Sequence, residues 1–206
     1  MPYYKQKNIL FIHIPKTGGT VIENALKKET KQTLYGNKNN WNEPYRGISP
    51  QHLFYNTIFK NKRILNVDFQ NIKVFSVVRN PYDRIVSDLF WNKLIEPTFT
   101  AKEVNNVIRN IYFGKCKKNL DNHNVPQYKF VTDENSELIK SIKILKTETL
   151  NESNNTLNEF LGFNINIFQK NVNKNYREYL NKESISIINE KYKKDFELFD
   201  YEMIKE

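Results

Sequence analysis

A single cysteine, Cys116, stands in a chain of 206 residues. It has no partner for an intrachain disulfide or a two-cysteine metal knuckle, which excludes a disulfide-stapled scaffold and points to a reducing compartment, the cytoplasm. Long apolar runs are missing as well. The run from Ile9 to Ile14 is six residues long before Pro15 closes it, too short for a signal-peptide core or a membrane span. A mean hydropathy of −0.69 agrees with a soluble protein. Arginine is scarce too, with only six among 32 basic residues. What is present is aromatic and cationic: 14 Phe and 12 Tyr supply a sizeable core and exclude a disordered chain. The length fits one domain over residues 1–206. The balance of +9 asks for an anionic partner, whether nucleic acid, an anionic surface or a phosphorylated or sulfated small molecule. The lysine, asparagine and isoleucine bias, which an AT-rich genome produces, makes much of that charge compositional.

The run ILFIHI reads as a strand buried on both faces, because it is continuous and partly β-branched. A glycine turn follows at Gly18 and Gly19, Thr20 is placed to cap, and Val21, Ile22, Ala25 and Leu26 mark one face of a helix. The same grammar returns at Val74 to Val78, broken by Asn80-Pro81 and followed by a helix from Tyr82 to Leu94. Ile142 to Leu145 is a third strand, Thr156 to Leu161 a short helix ending at Gly162, and Ser184 to Phe196 a final helix. Tyr35 to Tyr45, Ile95 to Val104 and Asn164 to Asn175 are polar and read as loops. Strands alternating with helices predict a parallel sheet with helices on its faces and the site on the loops after the strands.

The segment IPKTGGT, Ile14 to Thr20, carries the most chemistry. A glycine turn between a buried strand and a helix start aims backbone N–H groups at one spot, where an anion is favoured. Lys16 adds a point charge, and Thr17 and Thr20 add hydroxyls. This is a phosphate or sulfonate cradle. It is not the Walker order, in which lysine follows the last glycine. PKTGGT after an apolar strand resembles the 5'-phosphosulfate loop of sulfotransferases that use 3'-phosphoadenylyl sulfate (PAPS).

The partner motif is present. SVVRNPYDRIVS, Ser76 to Ser87, resembles the 3'-phosphate segment of that family, with Arg79 offering a fork of donors and Ser87 a helix hydroxyl. Read without the resemblance, Arg79 pairs with Asp83 at the surface, Ser87 is an ordinary helix serine, and Arg84 makes a structural salt bridge. NHNVPQ, with His123 and Gln127, looks like the HxxPQ element of the carbohydrate O-sulfotransferase branch. Ile144 to Glu152 and Asn173 to Tyr201 are similar to its acidic turn and closing segment. The likeness spans almost the whole chain. It implies an α/β fold in one domain, a P-loop-NTPase-like parallel β-sheet flanked by helices, without the anchor and stem of Golgi relatives.

The resemblance implies sulfuryl transfer from PAPS to an acceptor hydroxyl, on a carbohydrate by the HxxPQ element, with release of the desulfated product PAP. Lys16 follows the charge on the departing phosphate, and the amides of Thr17, Gly18, Gly19 and Thr20 hold the 5'-phosphate. Arg79 and Ser87 hold the 3'-phosphate with Lys174 as a supplement, and aromatics and the Asn171 to Lys174 loop are the candidates for the adenine site. The base is His52, in the interval between the two motifs, with Gln51-His52 standing where the family has Gly-His. An imidazole of ordinary pKa, about 6.5, suits that task. Glu43 is the other choice, and packing is the other role for His52. His13 reads as a hydrogen-bonded core residue, while His123 and Gln127 line the acceptor cleft or, for His123, brace a loop. The chemistry needs no metal, and three scattered histidines with one cysteine do not read as a ligand set.

Three other readings stand beside this one. A tyrosine or small-phenol sulfotransferase shares the donor motifs. A nucleotide kinase or NTPase lacks its Walker order here. A nucleic-acid-binding module would use the +9, but lysine is spread along the chain instead of clustered, and no recognition signature is visible.

Overall fold

The computed structural model describes residues 2–31, 48–114, 120–169 and 175–205. Chain entry is a short hairpin: β1 (Tyr3–Tyr4) runs through a 3-10 turn to β2 (Ile9–Ile12) and pairs with it antiparallel. The turn closes on Asn8 at φ 49°, a left-handed position that asparagine tolerates. After β2 come α1 (Gly19–Glu29), the short α2 (Tyr55–Lys60), β3 (Lys73–Val78), α3 (Pro81–Trp91) and α4 (Ala101–Val107). A π-helical turn at Ile108–Tyr112 extends α4. The second half adds a single turn α5 (Tyr128–Val131), β4 (Ile142–Lys146), α6 (Asn154–Leu161), α7 (Lys182–Lys191) and α8 (Lys193–Leu198).

The four strands lie in the order β1-β2-β3-β4, with β2, β3 and β4 parallel. Side chains alternate across the sheet as the strand period requires. Leu10, Ile12, Val74, Val78 and Ile142 face one way, against Leu53, Ile58, Phe130 and Phe199. Ile9, Phe11, Phe75, Val77 and Leu145 face the other, against Ile22 and Leu26 of α1 and Leu157 and Leu161 of α6. Phe11 stacks on Phe75 across the parallel pair at a centroid distance of 4.9 Å. A third cluster joins α3, α4, α7 and α8 through Ile85, Leu89, Ile108, Ile188 and Phe196. Burying one such side chain contributes about 1.5–3 kcal/mol, so helices that are too short to stand alone hold by packing. The result is an α/β fold with a mostly parallel sheet between helices.

Several expectations are corrected. The expected parallel sheet is present in β2, β3 and β4, and Tyr3 and Tyr4 add a two-residue antiparallel edge to it. Gly18, at φ 88°, occupies the cap position of α1, and Thr20 lies inside the helix. Part of the stretch Ile95 to Val104 is helical, because Thr100 and Glu103 form a reciprocal capping box at the start of α4. The closing helix is two helices broken at Tyr192, whose phenol is fully buried and bonded to the carbonyl of Asn124. The helix after Pro81 ends at Trp91, and Lys93 turns left-handed at φ 54°.

Candidate active site

The loops at the carboxyl ends of β2 and β3 face each other across a cavity of about 420 Å³. The first loop runs from Pro15 into α1. Lys16 and Gly18 both have positive φ, at 66° and 88°, which folds the chain tightly onto the helix start. A Cβ at Gly19 would come within 2.2 Å of His13 Nε2, so this position admits only glycine while the imidazole packs there. Lys16, Gly18, Gly19 and Thr20 line the cavity. Thr17 does not: it is fully buried, and its hydroxyl donates to the Ile14 carbonyl at 2.9 Å. Its hydroxyl is therefore spent on the loop, contrary to the expected place in the cradle, and only its backbone remains for a ligand. The Lys16 ammonium lies 4.2 Å from the centre of the exposed Trp91 ring. Burial lowers its pKa from the ordinary value, Asp88 opposes this and Arg79 adds to it.

The second loop begins with Arg79 at the end of β3. Its Nη1 donates to the Lys16 carbonyl at 3.4 Å and ties the two loops together. No salt bridge joins it to Asp83 among the described residues, although Arg79 pulls the Asp83 carboxyl down against the larger upward effect of burial. Asn80 caps α3 by accepting from the Tyr82 amide at 3.0 Å, with Pro81 at the first helical position. That start points Ser87, two turns on, into the cavity beside Asp83. Arg84 is 1% exposed and makes no salt bridge among the described residues. Instead its guanidinium donates to the carbonyls of Pro15, Val125 and His123 at 3.0, 3.0 and 2.7 Å, stapling the cradle to the HxxPQ segment. Gln127 is corrected as well. It is fully buried, its amide closes on the Arg79 backbone with bonds of 2.9 and 2.8 Å, and it positions Arg79 instead of lining an acceptor cleft.

The three histidines, which look scattered in the sequence, converge on the same cavity. His13 and His52 have ring centroids 5.3 Å apart, and His52 and His123 are 5.0 Å apart. Each offers Nδ1 to a carboxylate. His13 faces Glu23 at 2.6 Å, His52 faces Asp121 at 3.1 Å, and His123 faces Asp88 at 2.5 Å. Burial lowers the His13 pKa, outweighing the upward pull of Glu23, so the ring is neutral at neutral pH and its Nδ1–H donates to that carboxylate. The Gln51 amide donates to the same Glu23 oxygen at 2.6 Å. His52 closes a 3-10 turn capped by Ser49, and Asn122 holds its carbonyl at 3.0 Å. His123 belongs to the cavity wall, and the Tyr112 hydroxyl fixes the other oxygen of Asp88 at 2.8 Å.

The cavity therefore joins an anion cradle, a forked cation and a row of imidazoles held in one orientation. Chemically, that can fix two anionic groups and take a proton from a third group. A ligand with a hydroxyl or amino hydrogen to donate fits one further feature of the wall. The Gln169 amide oxygen is buried at the cavity wall with no hydrogen-bond partner among the described residues, and it lies against Gly18, where a Cβ would come within 3.1 Å of it. Glu43, Lys174 and the Asn171 to Lys174 loop lie outside the described residues, as does Cys116.

Glu23, Asp88, Asp121, Trp91 and Gln169 escape sequence reading. Asp88 did leave a trace, since it sits on the apolar stripe of α3 between Ile85 and Leu89, where a carboxylate needs a buried partner. Asp121 left none. No helix among the described residues is long and apolar enough to cross a membrane.

A family model described as the sulfotransferase family matches residues 3–202. No curated protein and no solved structure matches the chain.

Proposed function

The chain belongs to the sulfotransferase family, and we propose that it transfers the sulfuryl group of PAPS to a hydroxyl of a carbohydrate acceptor. One observation carries the reading: the cradle, Arg79 with Ser87, and His52 line a single cavity. PAPS supplies the sulfuryl group and a phosphate at each end of its ribose. The amides and Thr20 hydroxyl at the start of α1 hold its 5'-phosphate, and Arg79 and Ser87 hold the 3'-phosphate. Lys174 is the further cation for that phosphate, and Lys16 stabilises charge at the bridging oxygen. A partly buried ammonium that rests on an aromatic face is weakly hydrated, so turning to an anion costs it little water.

His52 takes the acceptor proton. Asp121 holds Nδ1, which keeps the proton there and leaves the lone pair on Nε2 for the acceptor. Glu43 is the competing base. The carbohydrate acceptor rests on the likeness of His123 to Gln127 and of Asn173 to Tyr201 to that branch, with His123 in the cavity wall. The lone cysteine favours a reducing, cytoplasmic setting.

The test is a thermal scan with PAP, which at 100 times its Kd adds ~2.7 kcal/mol. No shift with PAP, together with a shift on ATP and Mg²⁺, overturns the reading in favour of a nucleotide kinase. Labelled PAPS offered with glycans, peptides and phenols then identifies the acceptor. Label on peptide or phenol alone overturns the carbohydrate assignment.

A further inference from the structure

We propose that His52, Asp121 and His123 form a binding site for a borderline divalent cation of the zinc type, and that filling it switches sulfuryl transfer off. One ligand atom from each residue lies within 4.8 Å of the other two. Zinc bonds to imidazole nitrogen and carboxylate oxygen are about 2.0–2.2 Å, which places neighbouring donors of a tetrahedral site roughly 3.3 Å apart. His52 Nδ1 and Asp121 Oδ2 are already 3.1 Å apart.

Groups around the three residues hold them as ligands are held. His123 gives Nδ1 to Asp88, which leaves Nε2 as its ligating atom, and Tyr112 fixes Asp88 in turn. A carboxylate on the far nitrogen orients a metal-binding imidazole and raises its basicity. Asp121 takes the Ser49 amide on Oδ1 and faces His52 with Oδ2. His52 and His123, 9% and 8% exposed, line the cavity, and the Asp121 side chain beside His52 is 24% exposed. The carboxylates Glu23, Asp88 and Asp121 beside the three rings oppose the field of Lys16 and Arg79 there. Two nitrogens and one oxygen with an open fourth position suit zinc or cobalt, whereas magnesium and calcium require more oxygen ligands.

The switch follows from the imidazole itself. A neutral ring has one lone pair. If the metal takes Nδ1, the ring proton moves to Nε2, and if it takes Nε2, that lone pair is used directly. In both cases His52 no longer accepts the acceptor proton, a consequence that rests on His52 being the base.

The experiment uses the full chain carrying Cys116→Ser, stripped with a chelator and then titrated with Zn²⁺ by calorimetry and with Co²⁺ by visible absorption. One equivalent should bind, with the intense bands of tetrahedral cobalt. His123→Gln and Asp121→Asn should each weaken binding at least about tenfold, and Asp88→Asn by a factor of about ten. His13→Gln, outside the set, should leave binding unchanged. A thermal shift with PAP verifies that each variant is folded. No binding at millimolar metal, or binding that survives both His123→Gln and Asp121→Asn, overturns the site. Zn²⁺ should abolish transfer and a chelator should restore it. Transfer that continues with the site filled overturns the switch and His52 as base, while the metal site stands on its titration.

Discussion

The two walls of the cavity are built in opposite ways. The wall proposed for the sulfuryl donor is contiguous chain: Lys16, Gly18, Gly19 and Thr20 lie in one turn, and Arg79 and Ser87 in one strand-to-helix segment. In the proposed reading its donors are amides at a helix start together with the side chains of Lys16, Thr20, Arg79 and Ser87. The base wall is assembled from afar. His52 meets Asp121 from 69 residues away, and His123 meets Asp88 from 35 residues away. There the chemistry depends on carboxylates that orient rings, and each pair exists only once the sheet, α3 and the segment around His123 have packed. A wall built on a helix start depends on its backbone conformation as well as on its few charged side chains, whereas a wall of paired side chains depends on the pairing. Arg84, bonded to Pro15, His123 and Val125, links the two.

The sharpest test of this contrast removes the proposed base alone. His52→Gln should lower transfer by about 10²–10⁴-fold in a single-turnover assay while leaving the PAP thermal shift nearly intact. If Glu43→Gln loses the activity and His52→Gln retains it, the base belongs to Glu43. Next in size, Arg79→Ala should weaken PAP about ten- to a hundredfold, because a charge-assisted hydrogen bond is worth about 1.5–3 kcal/mol. Calorimetry with PAP and with the 3'-dephosphorylated nucleotide checks it: loss of discrimination between the two supports the assignment, and equal weakening of both sinks it.

Gly19→Ala should break the donor wall through the base wall. Its Cβ meets the His13 ring, and overpacking of this kind costs about 1–3 kcal/mol. The cross-wall cause has its own check, since adding His13→Ala to Gly19→Ala should recover part of the lost stability in a denaturant titration. A double variant no more stable than Gly19→Ala alone would assign the strain to the backbone.

The same contrast governs what was readable in the chain. The strands at Ile9–Ile12, Lys73–Val78 and Ile142–Lys146 and the helix closed by Gly162 follow from hydrophobic period and turn residues, which are local signals. Gly18, Gly19 and Arg79 were legible for the same reason. His52 could be chosen only by its place between two motifs, and its partner Asp121 lies in a polar stretch with no period to mark it. Gln127 shows the opposite error: a conspicuous motif residue turns out to clamp the Arg79 backbone from a fully buried position. The split at Tyr192 likewise depends on a tertiary bond, not on helix propensity. Pairs that cross the chain leave no trace in spacing, so the chemistry of the base wall had to wait for the fold.

The smallest expected effect concerns pH and separates the walls by stability instead of activity. Burial holds the folded-state pKa of His13 below its unfolded value of 6.5. Between the folded and unfolded values the unfolded chain binds more protons, so stability rises with pH there. The contribution is complete above the unfolded pKa and is lost as pH falls from there towards the folded one. Asp195 acts in the other direction. It accepts the amides of Gln127 and Tyr128 from a buried position, and burial raises its pKa to about 6 from 3.8, so its proton favours the folded state and that stability is lost as pH rises through about 6. The wild-type curve thus mixes opposing slopes, and the informative quantity is the difference between wild type and His13→Gln. In thermal scans from pH 7.5 to about 5, wild type should lose more stability than His13→Gln, in which Asp195 is untouched. Parallel curves would mean that Glu23 cancels the effect of burial, and a smaller loss in wild type than in His13→Gln would mean that Glu23 keeps the ring charged in the folded state, so that the neutral ring inferred beside the cradle is wrong.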